Sequence, residues 1–261
     1  MPAYLHSIRV RRLRLNRALA CLALLGAGLA PPALADEGSV IGRMLGLGTT
    51  GSGNVQVESR VVSGFQAVTV SGSINVVLRQ GNREGVEVSA DNNLLPLIET
   101  RVENGTLRIR PKAGASYSTH NPVLVSVDLI ALKSLSVGGS GEVSARGLKA
   151  DKIDVTIVGS GSVKFADLQA RTLELAIGGS GSFSAKGRAD KLDVSVGGSG
   201  GVLTDALDAD DVSIAIGGSG GAVVKANRSL DVAIAGSGSV VYSGEAVLST
   251  SIAGSGRVMK R

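Results

Sequence analysis

Four carboxylates, Asp154, Glu174, Asp193 and Asp231, each stand six residues before the serine of a Gly-Ser-Gly triplet. Acids that recur in one phase of a repeat form a column, and two carboxyl groups facing each other across roughly 5–10 Å are the machinery of glycoside hydrolysis. Lys152 and Lys191 flank Asp154 and Asp193, so a solvated, charge-balanced face accounts for the same acids without catalysis. Asp205, Asp208, Asp210 and Asp211 form a denser corner on a longer connection, the best place in the chain for a weak cation site and otherwise an ordinary polar loop. Nucleophilic catalysis would need a base beside a serine, and beyond residue 35 the only histidine is His120. It stands in a loop with Tyr117 and Asn121, and its neighbour Pro122 assigns that loop structural work at a junction.

The triplets themselves invite two chemical readings, and both fail. Calcium-binding nonapeptide repeats carry an aspartate two residues after the last glycine, where this chain has Val143, Phe183 and Val202. A phosphate loop needs a helix N-terminus behind it, and no Gly-Lys-Ser or Gly-Lys-Thr occurs. No catalytic, cofactor-binding or metal-binding residue is therefore assigned, and no cofactor is expected.

What the triplets specify is architecture. They are Gly139-Ser140-Gly141, Gly159-Ser160-Gly161, Gly179-Ser180-Gly181, Gly198-Ser199-Gly200, Gly218-Ser219-Gly220, Gly236-Ser237-Gly238 and Gly254-Ser255-Gly256, with serines spaced 20, 20, 19, 20, 18 and 18 residues apart. A period near 20 marks stacked units that bury their apolar faces only against their neighbours. Three residues before each serine stand Val137, Ile157, Ile177, Val196, Ile216, Ile234 and Ile252. Five before stand Leu135, Val155, Leu175, Val194, Ile214, Val232 and Thr250, and three after stand Val143, Val163, Phe183, Val202, Ala222, Val240 and Val258. Apolar residues at alternate positions mean strands with one buried face.

An antiparallel meander and a parallel β-helix both fit. Geometry favours the second: a three-residue turn suits a crossing between sheets about 10 Å apart, whereas neighbouring strands under 5 Å apart are joined by two residues. Recurrence of the same residue types in phase is also what coil-on-coil stacking requires. The expected fold is all-β, a right-handed parallel β-helix of about 20-residue coils. Glycine serves as the structural turn residue because stacked backbones approach closely and the crossing demands positive φ. Phe65, Phe165 and Phe183 are expected as core fillers, and Tyr242 falls in the inward phase of Phe165.

The ends bound the compartment. Arg9, Arg11, Arg12, Arg14 and Arg17 precede an apolar run from Ala18 to Ala30 and then Ala33-Leu34-Ala35, the form of a secretory signal peptide, so residues 1–35 are expected to be cleaved between Ala35 and Asp36. The single cysteine, Cys21, leaves with that segment. So do five of the 27 basic residues, leaving 22 against 22 acidic ones, and the net charge of +5 disappears. No later stretch combines clustered Lys and Arg with aromatic residues, which excludes nucleic acid as an expected partner. No later apolar run is long enough to cross a membrane as a helix.

Residues 36–58 read as a flexible lead-in and 59–261 as one β-helix domain, irregular over 59–122 and regular over 123–258. Within the irregular part, Asn104-Gly105 marks a hairpin and Asn92 to Ile98 a helical turn. The ordered run Gly64-Phe65-Gln66-Ala67-Val68-Thr69-Val70-Ser71-Gly72-Ser73, Val86-Glu87-Val88, Asp91-Asn92-Asn93-Leu94-Leu95 and Asn104-Gly105-Thr106-Leu107, followed by the triplets, resembles the head GIN domain family over roughly residues 54–258. The resemblance implies a β-helix similar to pectin lyases without their catalytic residues, and a role as a bacterial surface adhesin head; no coiled-coil stalk is legible.

The function expected from all this is an exported, non-enzymatic module of the cell envelope or surface, in the periplasm or outside the cell, binding an envelope or extracellular protein or glycan. The alternatives are a polysaccharide-active β-helix enzyme, lyase or hydrolase, using the carboxylate column, and a structural periplasmic protein that forms homo-oligomers through its coil ends.

Overall fold

A computed structural model describes residues 48–261; the expected leader and its cleavage point at Ala35 and Asp36 lie outside them. The N-terminal part holds β1 (Thr49–Thr50), β2 (Val55–Arg60), β3 (Ala67–Gly72), β4 (Asn75–Gln80), β5 (Gly85–Asp91), β6 (Ile98–Glu103), β7 (Thr106–Pro111), β8 (Tyr117–Ser118) and β9 (Leu124–Leu129). The repeats hold β10 (Ser134–Gly139), β11 (Glu142–Arg146), β12 (Lys149–Gly159), β13 (Ser162–Gly179), β14 (Ser182–Gly198), β15 (Gly201–Gly218), β16 (Gly221–Gly236), β17 (Ser239–Ser243), β18 (Val247–Gly254) and β19 (Arg257–Lys260).

Every repeat pairs in parallel with the same positions of the next. Leu135 lies beside Val155, then Leu175, Val194, Ile214, Val232 and Thr250 in turn. A meander would reverse direction at each step, so the arrangement is a β-helix. One side stacks β7, β3, β10, β12, β13, β14, β15, β16 and β18. A second stacks β9, β4, β11, β13, β14, β15, β16, β17 and β19.

The coil has a third, short side. In β13 the inward residues run Val163, Phe165, Leu168, then Leu173, Leu175 and Ile177, so the alternation slips by one at two corners besides the triplet. Between those corners Ala150, Ala170, Ala189, Ala209 and Ala226 stack in register, their small side chains suiting a narrow side. The apolar residues of all three sides form one continuous core from Phe65 to Tyr242. Phe165 and Phe183 meet edge to face with centroids 5.6 Å apart, a favoured aromatic geometry.

The N-terminal end is closed by antiparallel strands. β5 pairs with β9 and β2 with β5 on one side, and β6 pairs with β7 on the other. Asn104 (φ 50°) and Gly105 (φ 72°) form the two-residue link of the β6–β7 hairpin, and one 3-10 turn spans Leu95–Leu97. The lead-in reading of 36–58 is corrected over 55–58, which belong to β2. Its alternation carries no burial signal, since Val55 and Val57 are exposed and the strand is held by backbone pairing to β5. Short β1 also pairs, in parallel, with β8.

The opposite end is open. β18 repeats the inward positions of β16, where Leu230, Val232 and Ile234 are buried, yet all eight of its own residues are exposed, with no coil among the described residues stacked over them. No helix among the described residues is long and apolar enough to cross a membrane.

Candidate functional site

The triplets divide their labour. The first glycine of each takes a φ between 109° and 131°, from Gly139 through Gly159, Gly179, Gly198 and Gly218 to Gly236, with Gly254 at 122°. A Cβ on Gly198 would stand 2.6 Å from the carbonyl oxygen of Gly179 in the coil before it. The last glycine points inward, and a Cβ on Gly200 would meet Ile177 Cγ2 at 2.6 Å. The serine between them is exposed, and its N–H donates to the first glycine of the preceding coil, as Ser199 does to Gly179 at 2.9 Å. The backbone ladder thus passes unbroken through the corner.

The carboxylate column exists, and three of its four acids meet a lysine. Asp154, Glu174 and Asp193 lie side by side in register, continued by Ser213 and Asp231. Lys152 Nζ bridges Asp154 at 3.2 Å and Glu174 at 2.8 Å, and Lys191 Nζ reaches Asp193 at 2.7 Å. These carboxylates raise the pKa of both ammonium groups, Lys152 chiefly through Glu174 and Lys191 chiefly through Asp193.

The acidic corner is matched in the same way. Asp208 pairs with Lys225 at 2.5 Å, Asp210 with Arg188 at 3.0 Å, and Asp205 with Arg261 at 4.0 Å. Asp211 accepts from Arg228 and from Ser229 Oγ, and the Arg228 bond above all holds its pKa down to about 2. No cluster of three metal-ligating side chains exists among the described residues.

His120 is exposed, and the loop around it is organised by a group that composition does not flag. Asp91 is 1% exposed at the end of β5. Its Oδ2 accepts from Thr119 Oγ1 at 2.6 Å and its Oδ1 from Asn121 Nδ2 at 2.8 Å. Those two bonds lower its pKa, with Thr119 the larger cause. Asp91 therefore clamps the segment between β8 and β9 to the N-terminal end. Tyr117, in β8 itself, buries its hydroxyl without a hydrogen-bond partner, and burial raises its pKa.

A groove along the second side was not legible in sequence, because its lining comes from four coils. About 680 Å³ is enclosed along the second side by Arg79 of β4, Ser144 and Arg146 of β11, Lys164 of β13 and Lys186 of β14, with Asp167 at its edge. Part of its charge is matched: Arg79 donates to Asp128 at 2.7 Å, Lys164 lies 2.9 Å from Glu142, and Arg146 only approaches Asp167 at 3.9 Å. Cations lining a shallow trough between hydroxyls form a binding surface for polar or anionic partners.

Residues 64–246 match the family described as "Putative auto-transporter adhesin, head GIN domain". Among solved structures, a "putative lipid binding protein" from Parabacteroides distasonis is 28% identical, with a TM-score of 0.68 over 81% of this chain and 98% of that one. A "putative adhesin" from the same organism is 25% identical, with a TM-score of 0.67 over 82% and 99%. A further "putative adhesin", from Bacteroides fragilis, shares the fold at a TM-score of 0.78 and 23% identity, over 82% of this chain and 100% of that one. A search of the curated proteins finds no match. The ordered Gly64 to Leu107 motifs, the stacked Gly-Ser-Gly corners and this match over most of the chain agree: the chain belongs to the head GIN domain family.

Proposed function

We propose that this chain is an exported, non-enzymatic β-helix module of the bacterial cell envelope or surface that works by adhesion, holding a protein or glycan against its sides. The observation that carries this reading is the pairing of three of the column's four carboxylates with lysines. Lys152 lies between Asp154 and Glu174, so the acids best placed for hydrolysis are engaged with a cation and with each other's coil. The basic groove over β4, β11, β13 and β14 offers what the column does not, a concave surface lined by several cations. The family description and the solved structures described as "putative adhesin" and "putative lipid binding protein" support an interaction role.

Protease treatment of intact cells, with a known periplasmic protein as the protection control, tests the placement. Selective loss of this chain supports surface display. Survival until the outer membrane is opened would move the role to periplasmic partners. A glycan panel tests the mode of action: binding without turnover, weakened in R146A/K186A, is expected. Turnover that is lost in D154N/E174Q would replace the adhesion reading with an enzyme.

A further inference from the structure

Strand edges are templates for further pairing, and proteins blunt them with charge. The edges at the N-terminal end follow that rule: β2 carries Glu58 and Arg60, and β6 carries Glu99, Arg101 and Glu103. At the open end β19 carries Arg257 and Lys260. β18, Val-Leu-Ser-Thr-Ser-Ile-Ala-Gly, has no charge, no proline and no bulge. Its inward side chains Leu248 and Ile252 are 40% and 43% exposed, whereas their equivalents Leu230 and Ile234 one coil earlier are 0% and 2% exposed.

The same strand is close to a palindrome. Read about Thr250, Ser249 matches Ser251, Leu248 matches Ile252, and Val247 matches Ala253. A palindromic apolar edge is complementary to its own two-fold image. We propose that two copies of this chain associate through their open ends, pairing β18 with β18 antiparallel about a two-fold axis at Thr250. Leu248 of each copy then packs against Ile252 of the other, so each last coil covers the other's core. The unpaired N–H and C=O groups of both edges are satisfied together. That two-fold exchanges the remaining sides of the coil. It sets the short connection before β18, where Glu245 lies 3.5 Å from Lys260 of its own copy, over β19 of the second copy instead of setting β19 against β19.

The test uses the full chain recovered from an exporting host, in a C21S background, so that an introduced thiol is the only one. A short bismaleimide should couple T250C into covalent dimers several-fold more efficiently than S219C, which places an equally exposed thiol on a corner of the solenoid. Light scattering should show the parent protein moving from monomer to dimer with concentration and stopping there. T250K should stay monomeric with an unchanged circular-dichroism spectrum, since its side chain has room at the open end. A parent that remains monomeric at about 100 μM, with T250C coupling no better than S219C, would overturn the proposal while leaving the binding role of the sides intact. Growth past the dimer into long assemblies would also overturn it, since a two-fold interface closes on itself.

Discussion

Replacing Gly198 with alanine tests the reasoning about the corners at one atom. The residue sits at φ 124°, a conformation that side-chain-bearing residues rarely adopt, and holding alanine there costs about 1–3 kcal/mol. The added methyl stands 2.6 Å from the Gly179 carbonyl oxygen, far inside contact distance. That oxygen cannot retreat freely, because it accepts the Ser199 N–H at 2.9 Å and belongs to a ladder held from both sides. Forcing extra carbon into a close-packed position adds roughly 1–3 kcal/mol, so the total is about 2–6 kcal/mol. Gly201, three residues on, is the internal control: its φ is not positive and nothing lies within 4 Å of a Cβ built on it. G201A should be neutral or stabilising by about 0.4–1 kcal/mol through the unfolded chain. Denaturant melts followed by circular dichroism read both, with the midpoint moving at constant slope. The reasoning fails if G198A stays within about 0.5 kcal/mol of the parent, the ordinary range for a surface substitution, or if G201A costs as much as G198A.

The inward glycines should behave differently, because their conflict is partly with a side chain. A Cβ on Gly220 would meet Val196 Cγ1 at 2.7 Å, so V196A should recover part of the loss in G220A, with a coupling of about 0.5–3 kcal/mol in a double-mutant cycle; strict additivity would count against the contact. Asp91 and Asp211 both titrate below their ordinary range. The stability they contribute is fully present above their unfolded pKa near 4 and drains away as pH falls through their folded values, about 2 for Asp211. Melting temperatures measured from pH 7 to pH 2 should therefore fall less steeply in D91N/D211N than in the parent, and parallel curves would refute the linkage. Y117F removes a hydroxyl that is buried without a partner and should raise stability by about 1 kcal/mol, read by the same melts; a loss of that size would mean the hydroxyl is satisfied.

Much of the solenoid is written in the chain because its signals are local and repeated. Alternation around each triplet specifies which residues face inward, and the inward phase of Phe165, Phe183 and Tyr242 agrees with their burial. The third side stayed hidden because it is only a few residues long, and its alanine column beside Leu168 and Leu207 gives too little apolar contrast to reveal a change of direction. The order of the N-terminal strands was equally hidden, since β9 pairs with both β4 and β5 across a long excursion that no short-range pattern records. At the candidate sites, Lys152 could be seen flanking Asp154, but its second bond, to Glu174, exists only once the coils are stacked. Asp91 and the groove around Arg146 and Lys186 share that limitation, because both assemble residues far apart in the chain.

The Gly-Ser-Gly corners keep one backbone hydrogen-bond ladder running along the long axis from the closed end to the open one. Tension between the two ends therefore loads those bonds rung by rung, as in a zipper, instead of shearing a whole sheet at once. Each coil that peels away frees about 20 residues, roughly 65 Å of extended chain, and exposes an equivalent coil behind it. Under load, such a module lengthens in repeated steps of similar force and dissipates mechanical work coil by coil.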